Sequence, residues 1–175
     1  MSNAAKHVTV GVLLYAVAAT PVWAQSEPAG RHDSSQPIEI TADTLEVQQQ
    51  QQLAIFRGEV DAVQGDMLLS ADVLVVHYRD NNQDPDQPDI SRIDAEGNVF
   101  VSSPQETAQG ARGTYDVDNG KIHLDGGVVL TQGDNVIQGE QLELDLESGK
   151  SRVISGTDGK RERVRGLFVP QKEKN

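Results

Sequence analysis

Apolar and polar residues alternate along most of the chain after residue 37. The alternation is clear in Ile38–Glu39–Ile40, in Leu45–Glu46–Val47 and again from Leu142 to Leu146. A period of two residues is typical of half-buried β-strands, whose side chains point to opposite faces of a sheet. No stretch beyond the first 24 residues has the spacing of an amphipathic helix. The pattern therefore predicts an all-β domain.

The strand pattern repeats along the chain. Residues 56–66 resemble residues 124–134 at a constant offset of 68, with Gly58 and Val60 matching Gly126 and Val128. A further copy begins at Gly97, a half-copy begins at Ala42, and successive units are spaced by 29, 39 and 29 residues. Each unit has the pattern of a strand, a turn and a returning strand, as expected for an array of hairpins.

The phase of the alternation shifts within several predicted strands, at Ala42–Asp43, at Ala71–Asp72 and at Gly139–Glu140. Such a shift moves side chains to the other face of the sheet unless the strand bends or bulges there. A strand that bends at a small residue can pass from one sheet to another while both of its parts face one interior. We therefore predict two antiparallel sheets that share long bent strands and stack as a β-jelly roll.

The N-terminal residues have the pattern of a secretory signal. Lys6 precedes an apolar run from Val8 to Ala19, which is short for a membrane span, and a small residue, Ala24, ends the segment. We predict a signal peptide over residues 1–24 with cleavage after Ala24, a disordered leader over 25–36, the β-domain over 37–170 and a polar tail over 171–175. An uncleaved membrane anchor is the alternative. An exported chain without Cys suits a bacterial periplasm, which is the predicted location.

Composition and charge exclude several classes of protein. The chain has no Cys, so thiolate metal sites, disulfides and a lipid attached to Cys are excluded. Its net charge of −12 and its seven aromatic residues argue against nucleic-acid binding, which uses basic surfaces and stacking aromatics. The charge is unevenly distributed, because residues 158–175 carry six Lys and Arg against three Asp and Glu.

No residue pattern indicates catalysis, a metal or a cofactor. The histidines at 32, 77 and 123 lack the spacing of zinc ligands, and no acidic residue lies in a recognisable catalytic motif. The alternating acids of residues 80–89 resemble a calcium loop, but Pro85 stands where such a loop needs Gly. We interpret them as an acidic surface loop and predict no enzymatic activity. The tract from Gln48 to Gln52 is predicted to form a hairpin tip.

The order and spacing of several short motifs resemble those of a known family. The motifs are Gln36–Asp43, Phe56–Val60, Val63–Gly65, Ser70–Asp72, Tyr115 eleven residues before Gly126, and Val169–Pro170. Over about residues 36–170 the sequence resembles the LptA-like, or OstA-like, family of periplasmic lipopolysaccharide-transport proteins. The resemblance implies a twisted, slotted β-jelly roll that carries lipopolysaccharide from the inner-membrane export complex towards the outer-membrane translocon.

The residue pattern alone favours a dry sandwich core, whereas the resemblance implies that the interior binds acyl chains. The candidate lining residues are aliphatic and of medium size, and few aromatics are present to fill a slot. Ile38 and Ile40 match the N-terminal segment that contacts lipid in the family. The candidates are Ile38, Ile40, Leu45, Val47, Val60, Ala62, Leu69, Val76, Val99, Val101, Val128, Leu130, Ile137, Leu142 and Leu144.

Family members stack head to tail, which requires unpaired strand edges at both ends of the molecule. The expected partners are a second copy, inner-membrane LptC-like and outer-membrane LptD-like jelly-roll domains, and the acyl chains of lipid A. A basic C-terminal end would meet the acidic end of the next copy. The predicted interface residues are Ile38, Ile40, Asp43, Arg163, Arg165, Leu167 and Val169. The alternative function is a soluble periplasmic glycan-binding or calcium-stabilised jelly-roll module.

Overall fold

The computed structural model describes residues 32–81, 89–156 and 163–170, and these contain ten β-strands. A 3₁₀ turn, Gln49–Gln51, joins the second strand to the third, where the sequence predicted a hairpin tip. The described residues include no helix long and apolar enough to cross a membrane. The strands are β1 Glu39–Thr41, β2 Thr44–Gln48, β3 Leu53–Gln64, β4 Met67–Arg79, β5 Asp89–Ser102, β6 Thr107–Asp116, β7 Lys121–Gln132, β8 Asn135–Asp145, β9 Lys150–Ile154 and β10 Arg165–Leu167.

All strand pairs are antiparallel, and the order is β1-β3-β4-β5-β6-β7-β8-β10, with β2 also paired to β3 and β9 also paired to β8. β1 and β2 pair with different parts of β3, since Ile40 lies opposite Ala62 and Leu45 lies opposite Phe56. β10 and β9 divide β8 in the same way. Each long strand therefore contributes to two half-sheets. The first half-sheet has β1 and β10 at its edges, and the second has β2 and β9.

Bulges divide the long strands where the sequence showed shifts of phase. The pairing of β4 with β5 shifts between Ser70 and Val73, at the predicted Ala71–Asp72 bend. Similar shifts divide the pairings of β3 with β4 and of β7 with β8. Leu69 and Leu74, on either side of the bend, are both buried, so the strand bends and both of its arms face one core. The prediction of an all-β jelly roll with long bent strands is confirmed.

An acidic side chain packs against a glycine at two of the bends. Asp43 lies against Gly58 and Asp72 lies against Gly97, and a Cβ at either glycine would overlap the carboxylate. The two glycines have φ of +85° and +76°, which other residues adopt only at a cost. Asn98 Nδ2 also donates a hydrogen bond to Asp72 Oδ2 at 2.9 Å. The repeated Ala–Asp pairs therefore have a structural role at the bends.

The hydrophobic core lies between the two half-sheets and is mainly aliphatic. Val60, Leu74, Leu124 and Leu142 are fully buried within it. Complete burial of an aliphatic side chain of this size contributes about 1.5–3 kcal/mol to stability. Packing of the core therefore stabilises the two half-sheets in their face-to-face arrangement.

Candidate functional site

Thirteen of the fifteen predicted lining residues pack together between the half-sheets. Ile38, Ile40 and Ile137 are half-buried and pack against the buried ones. No buried member of this interior carries a charge. Its side chains are already packed, so a lipid chain enters only if they or the half-sheets move. The buried candidates are Val60, Ala62, Leu69, Val76, Val99, Val101, Val128, Leu130, Leu142 and Leu144.

Leu45 and Val47 are not enclosed, contrary to the expectation for lining residues. They are 56% and 53% exposed, although they lie opposite Phe56 and Ala54, which pack against the core. Opposite residues of an antiparallel pair share a face. The apolar side chains of β2 therefore lie on the same face as the core residues. Because β2 is an edge strand, nothing on its outer side covers them. At this end of the molecule the interior surface is open to solvent.

The free ends of the two half-sheets meet along a cleft, which we call the mouth. Its volume is about 330 Å³. The β3–β4 turn, the β5–β6 loop and the β8–β9 turn all contribute to it, and so does the segment before β1. The lining includes His32, Asp33, Gln36, Gly65, Met67, Glu106, Gln132, Leu146 and Gly149.

Gln64 is the only buried amide or charged side chain among the described residues, and it lies at the mouth. Tyr115 Oη donates to Gln64 Oε1 at 2.7 Å, and His32 Nε2 lies 3.1 Å from that oxygen and 3.0 Å from Tyr115 Oη. Gln64 Nε2 donates to the backbone carbonyls of Ser34 and Gln36, both at 2.8 Å. Burial raises the pKa of Tyr115, so its hydroxyl stays protonated and acts as a donor at neutral pH. This network links β3 to β6.

Glu106 makes a second polar contact across the mouth. It accepts hydrogen bonds from Gln132 Nε2 at 2.5 Å and from Ser151 Oγ at 2.9 Å. Ser151 lies on β9 of the second half-sheet, and Gln132 ends the arm of β7 that belongs to the first. Glu106 therefore joins the free ends of the half-sheets. No sequence pattern points to a role for Glu106 or Gln64, because their partners are distant in sequence and form no motif.

The predicted interface residues lie at the two ends of the strand order, and Asp43 is among them because it joins β1 to β2. Ile40 is in β1, and Arg165 and Leu167 are in β10. Leu167 and Val169 are 62% and 46% exposed, so apolar surface is available at the C-terminal edge. Asp43 packs against Gly58 at a bend, as described above. Ile38 and Arg163 flank the two edge strands.

Among the described arginines, ion pairing separates the two at the C-terminal edge from the others. Arg163 and Arg165 are exposed and form no ion pair with any described residue. They leave positive charge free at one edge of an acidic protein. The arginines that are paired with an acid are Arg57, Arg79, Arg92, Arg112 and Arg152.

No group of three or more His, Asp or Glu side chains within the described ranges is arranged to hold a metal ion. Most of the acidic loop considered as a calcium site, residues 82–88, lies outside those ranges. The predicted signal peptide and the polar tail lie outside them as well.

These features define a β-jelly roll with an aliphatic interior between two half-sheets and a free strand edge at each end. Residues 39–150 match the sequence profile of the family described as LptA/(LptD N-terminal domain) LPS transport protein. The chain belongs to this family of lipopolysaccharide-transport proteins.

The chain is also similar to two individual proteins. An uncharacterized protein of Rhizobium meliloti (strain 1021) is 35% identical over 148 residues, which cover 82% of this chain and 80% of that protein. The crystal structure of LptH from Pseudomonas aeruginosa, the LptA homologous periplasmic component of its lipopolysaccharide transport device, superposes with a TM-score of 0.68. The match covers 79% of this chain and 99% of that chain at 21% identity, and it shows the common fold.

Proposed function

We propose that this protein is a periplasmic, non-enzymatic carrier that binds lipopolysaccharide by its acyl chains and passes it from the inner-membrane export complex to the outer-membrane translocon. The observation that supports this most directly is the aliphatic interior between half-sheets with free strand edges, in a chain of the lipopolysaccharide-transport family. Acyl chains would bind through the apolar area that they remove from water, at about 25 cal/mol per Å².

The N-terminal end of the molecule is where a lipid would first meet the interior. Ile38 and Ile40 are half-buried there, and Leu45 and Val47 present apolar surface to solvent. An acyl chain could bind to this surface while the sugars and phosphates of the lipid stay in water. The two exposed residues would then be covered by cargo or by a neighbouring protein.

Assembly would use the two free edges. β1 and β2 form the N-terminal edge, and β9 and β10 form the C-terminal edge, so two copies can pair head to tail and extend both half-sheets. LptC-like and LptD-like jelly-roll domains would dock at the same edges. The chain would act after export and removal of residues 1–24.

Site-specific crosslinking tests the lipid-binding proposal. A photoreactive residue at Ile40, which lies opposite Ala62, should form an adduct with lipopolysaccharide in cells. Thr41 is the matched control because it is the next residue on β1 and faces the opposite side, across from Asp61. Adducts at Ile40, Leu69 and Ile137 without one at Thr41 are expected. The proposal fails if all three inward positions are negative and no lipopolysaccharide copurifies with the mature protein.

A further inference from the structure

A short segment before β1, residues 32–36, covers part of the mouth and is here called the strap. It forms a turn in which Gln36 N donates to Asp33 O at 3.2 Å, and in which Ser35 N and Oγ donate to Asp33 Oδ1 at 3.0 and 2.6 Å. The strap lies beside Gly65 of the first half-sheet and beside Lys121 of the second. It therefore spans the gap between the free ends of the two half-sheets.

Gln64 binds the strap through both atoms of its side-chain amide, since the nitrogen meets two backbone carbonyl groups and the oxygen lies 3.1 Å from His32 Nε2. Its amide nitrogen donates one hydrogen bond to Ser34 O and one to Gln36 O, both at 2.8 Å. Tyr115 donates to the amide oxygen and so fixes the orientation of the amide. The result is a pre-oriented double donor for carbonyl oxygens at the margin of an aliphatic interior.

The strap is suited to being displaced. Asp33, Ser35 and Gln36 are exposed, and the strap has no large apolar side chain to bury. A buried amide without acceptors is unfavourable, so whatever replaces the strap must offer acceptors to Gln64. The ester or amide group that joins an acyl chain to its sugar supplies a carbonyl oxygen next to a long apolar chain. This combination matches an amide donor beside the apolar side chains of Ala62 and Met67, which are both buried.

We propose that Gln64 is a binding subsite for the ester or amide carbonyl at the head of an acyl chain, and that the strap occupies this subsite until a lipid displaces it. The inference rests on the proposed function, since it places the acyl chain between the half-sheets. Gln36 continues through Pro37 and Ile38 into β1, so displacement of the strap also reaches the N-terminal edge. Lipid loading and the state of that edge would then be coupled.

Two amphiphiles of similar size, one with an ester and one with a glycosidic linkage to its alkyl chain, test the subsite. Sucrose monolaurate and dodecyl maltoside both carry a disaccharide and a twelve-carbon chain, but only the first has an ester carbonyl. Below their micelle concentrations, the wild type should bind the ester about tenfold more tightly, as expected for hydrogen bonds to a buried amide. Gln64→Leu should abolish this preference. Gln132→Leu, at the same mouth but bonded to Glu106, should keep it.

A spin label tests displacement of the strap. Because the chain has no Cys, Ser34→Cys places one label on the strap, and Gln50→Cys places a control label on the β2–β3 turn. Lipopolysaccharide should mobilise the first label and leave the second unchanged. This inference alone would be overturned if the protein binds lipopolysaccharide, binds the two amphiphiles with equal affinity, and shows no change in the mobility of the strap label. Absence of any binding would overturn the proposed function together with it.

Discussion

The side chain of Asp94, on the outer face of the second half-sheet, is fixed by hydrogen bonds and ionic contacts with its neighbours. Asp94 accepts hydrogen bonds from Arg92 at 2.8 and 2.6 Å and from Thr114 Oγ1 at 2.9 Å, and it lies 2.8 Å from His77 Nε2. Burial acts to raise the pKa of Asp94, but the hydrogen bonds from Arg92, Thr114 and His77 outweigh it, so the pKa is lowered. The fold therefore stabilises the charged carboxylate.

Replacing Asp94 with Asn should make stability less dependent on acid pH. A carboxylate whose pKa is lower in the folded state stabilises the protein above its unfolded pKa of about 3.9, and the contribution is lost as pH falls through the folded value. The wild type should thus have the higher melting temperature between neutral pH and about pH 5, and the difference should shrink below about pH 4. Thermal unfolding across this range measures it. An equal difference at every pH would contradict the assignment.

At the scale of the strands, bulges allow a single long strand to take part in both half-sheets. β3, β4 and β5, with twelve to fourteen residues each, are examples. At the bulge of β5, Gly97 has a positive φ and meets the carboxylate of Asp72 from β4. Both the backbone conformation and the close approach exclude a side chain there. The bend is therefore fixed by a pair of residues on neighbouring strands.

Gly97→Ala should destabilise the protein more than Gly133→Ala does. Gly133 also has a positive φ, +58°, but nothing lies within 4 Å of its Cβ position. The control should cost about 1–2 kcal/mol for the backbone conformation alone, and Gly97→Ala about 1–3 kcal/mol more for overpacking. Urea unfolding measures both. Adding Asp72→Ala should recover part of the extra loss, and no recovery would show that the carboxylate contact is unimportant.

The bends were predictable because each one leaves a trace in the sequence. The change from Leu69 to Leu74, from odd to even apolar positions across Ala71–Asp72, reports a bulge directly, since the alternation follows the pleat. The exposure of Leu45 and Val47 left no such trace. Alternation identifies the face on which a residue lies, but it does not tell whether another strand covers that face.

At the scale of the whole molecule, the two edges differ in charge. The N-terminal edge carries two exposed acids, Glu39 on β1 and Glu46 on β2, and of these Glu46 is paired with Arg57. The C-terminal edge carries Arg163 and Arg165, which pair with no acid among the described residues, next to exposed apolar side chains. Opposite charges on opposite edges favour a head-to-tail encounter over a symmetric one.

The proposed stacking predicts association that depends on concentration and on salt. Sedimentation equilibrium should show the average mass rising with concentration and falling as salt screens the edge charges. Arg163→Glu with Arg165→Glu should weaken association by about tenfold or more. Arg79→Glu with Arg112→Glu is the control, because it changes the net charge equally away from the C-terminal edge. A wild type that stays monomeric at high concentration would refute stacking.

The contacts of the strap could not be predicted from the sequence. Residues 25–36 are polar and contain Pro28 and Gly30, a composition that predicts a disordered leader. The partners of residues 32–36 are Gln64 and Tyr115, which lie 28 to 83 residues away, and only the closed fold brings them together. Most of the interior could be predicted because it follows a local pattern, whereas the polar contacts of the mouth join distant positions.

The lengths of the edge strands have a mechanical consequence. β1 and β10 have three residues each, whereas the inner strands have ten to fourteen. In a head-to-tail assembly between two membranes, tension acts across the strands and therefore on the hydrogen bonds between them. The ladders formed by three-residue strands would rupture at the lowest force. An overstretched assembly would come apart at its joints or at the short edge strands beside them, with the six long strands of each protomer still paired, and it could re-form when the load is removed.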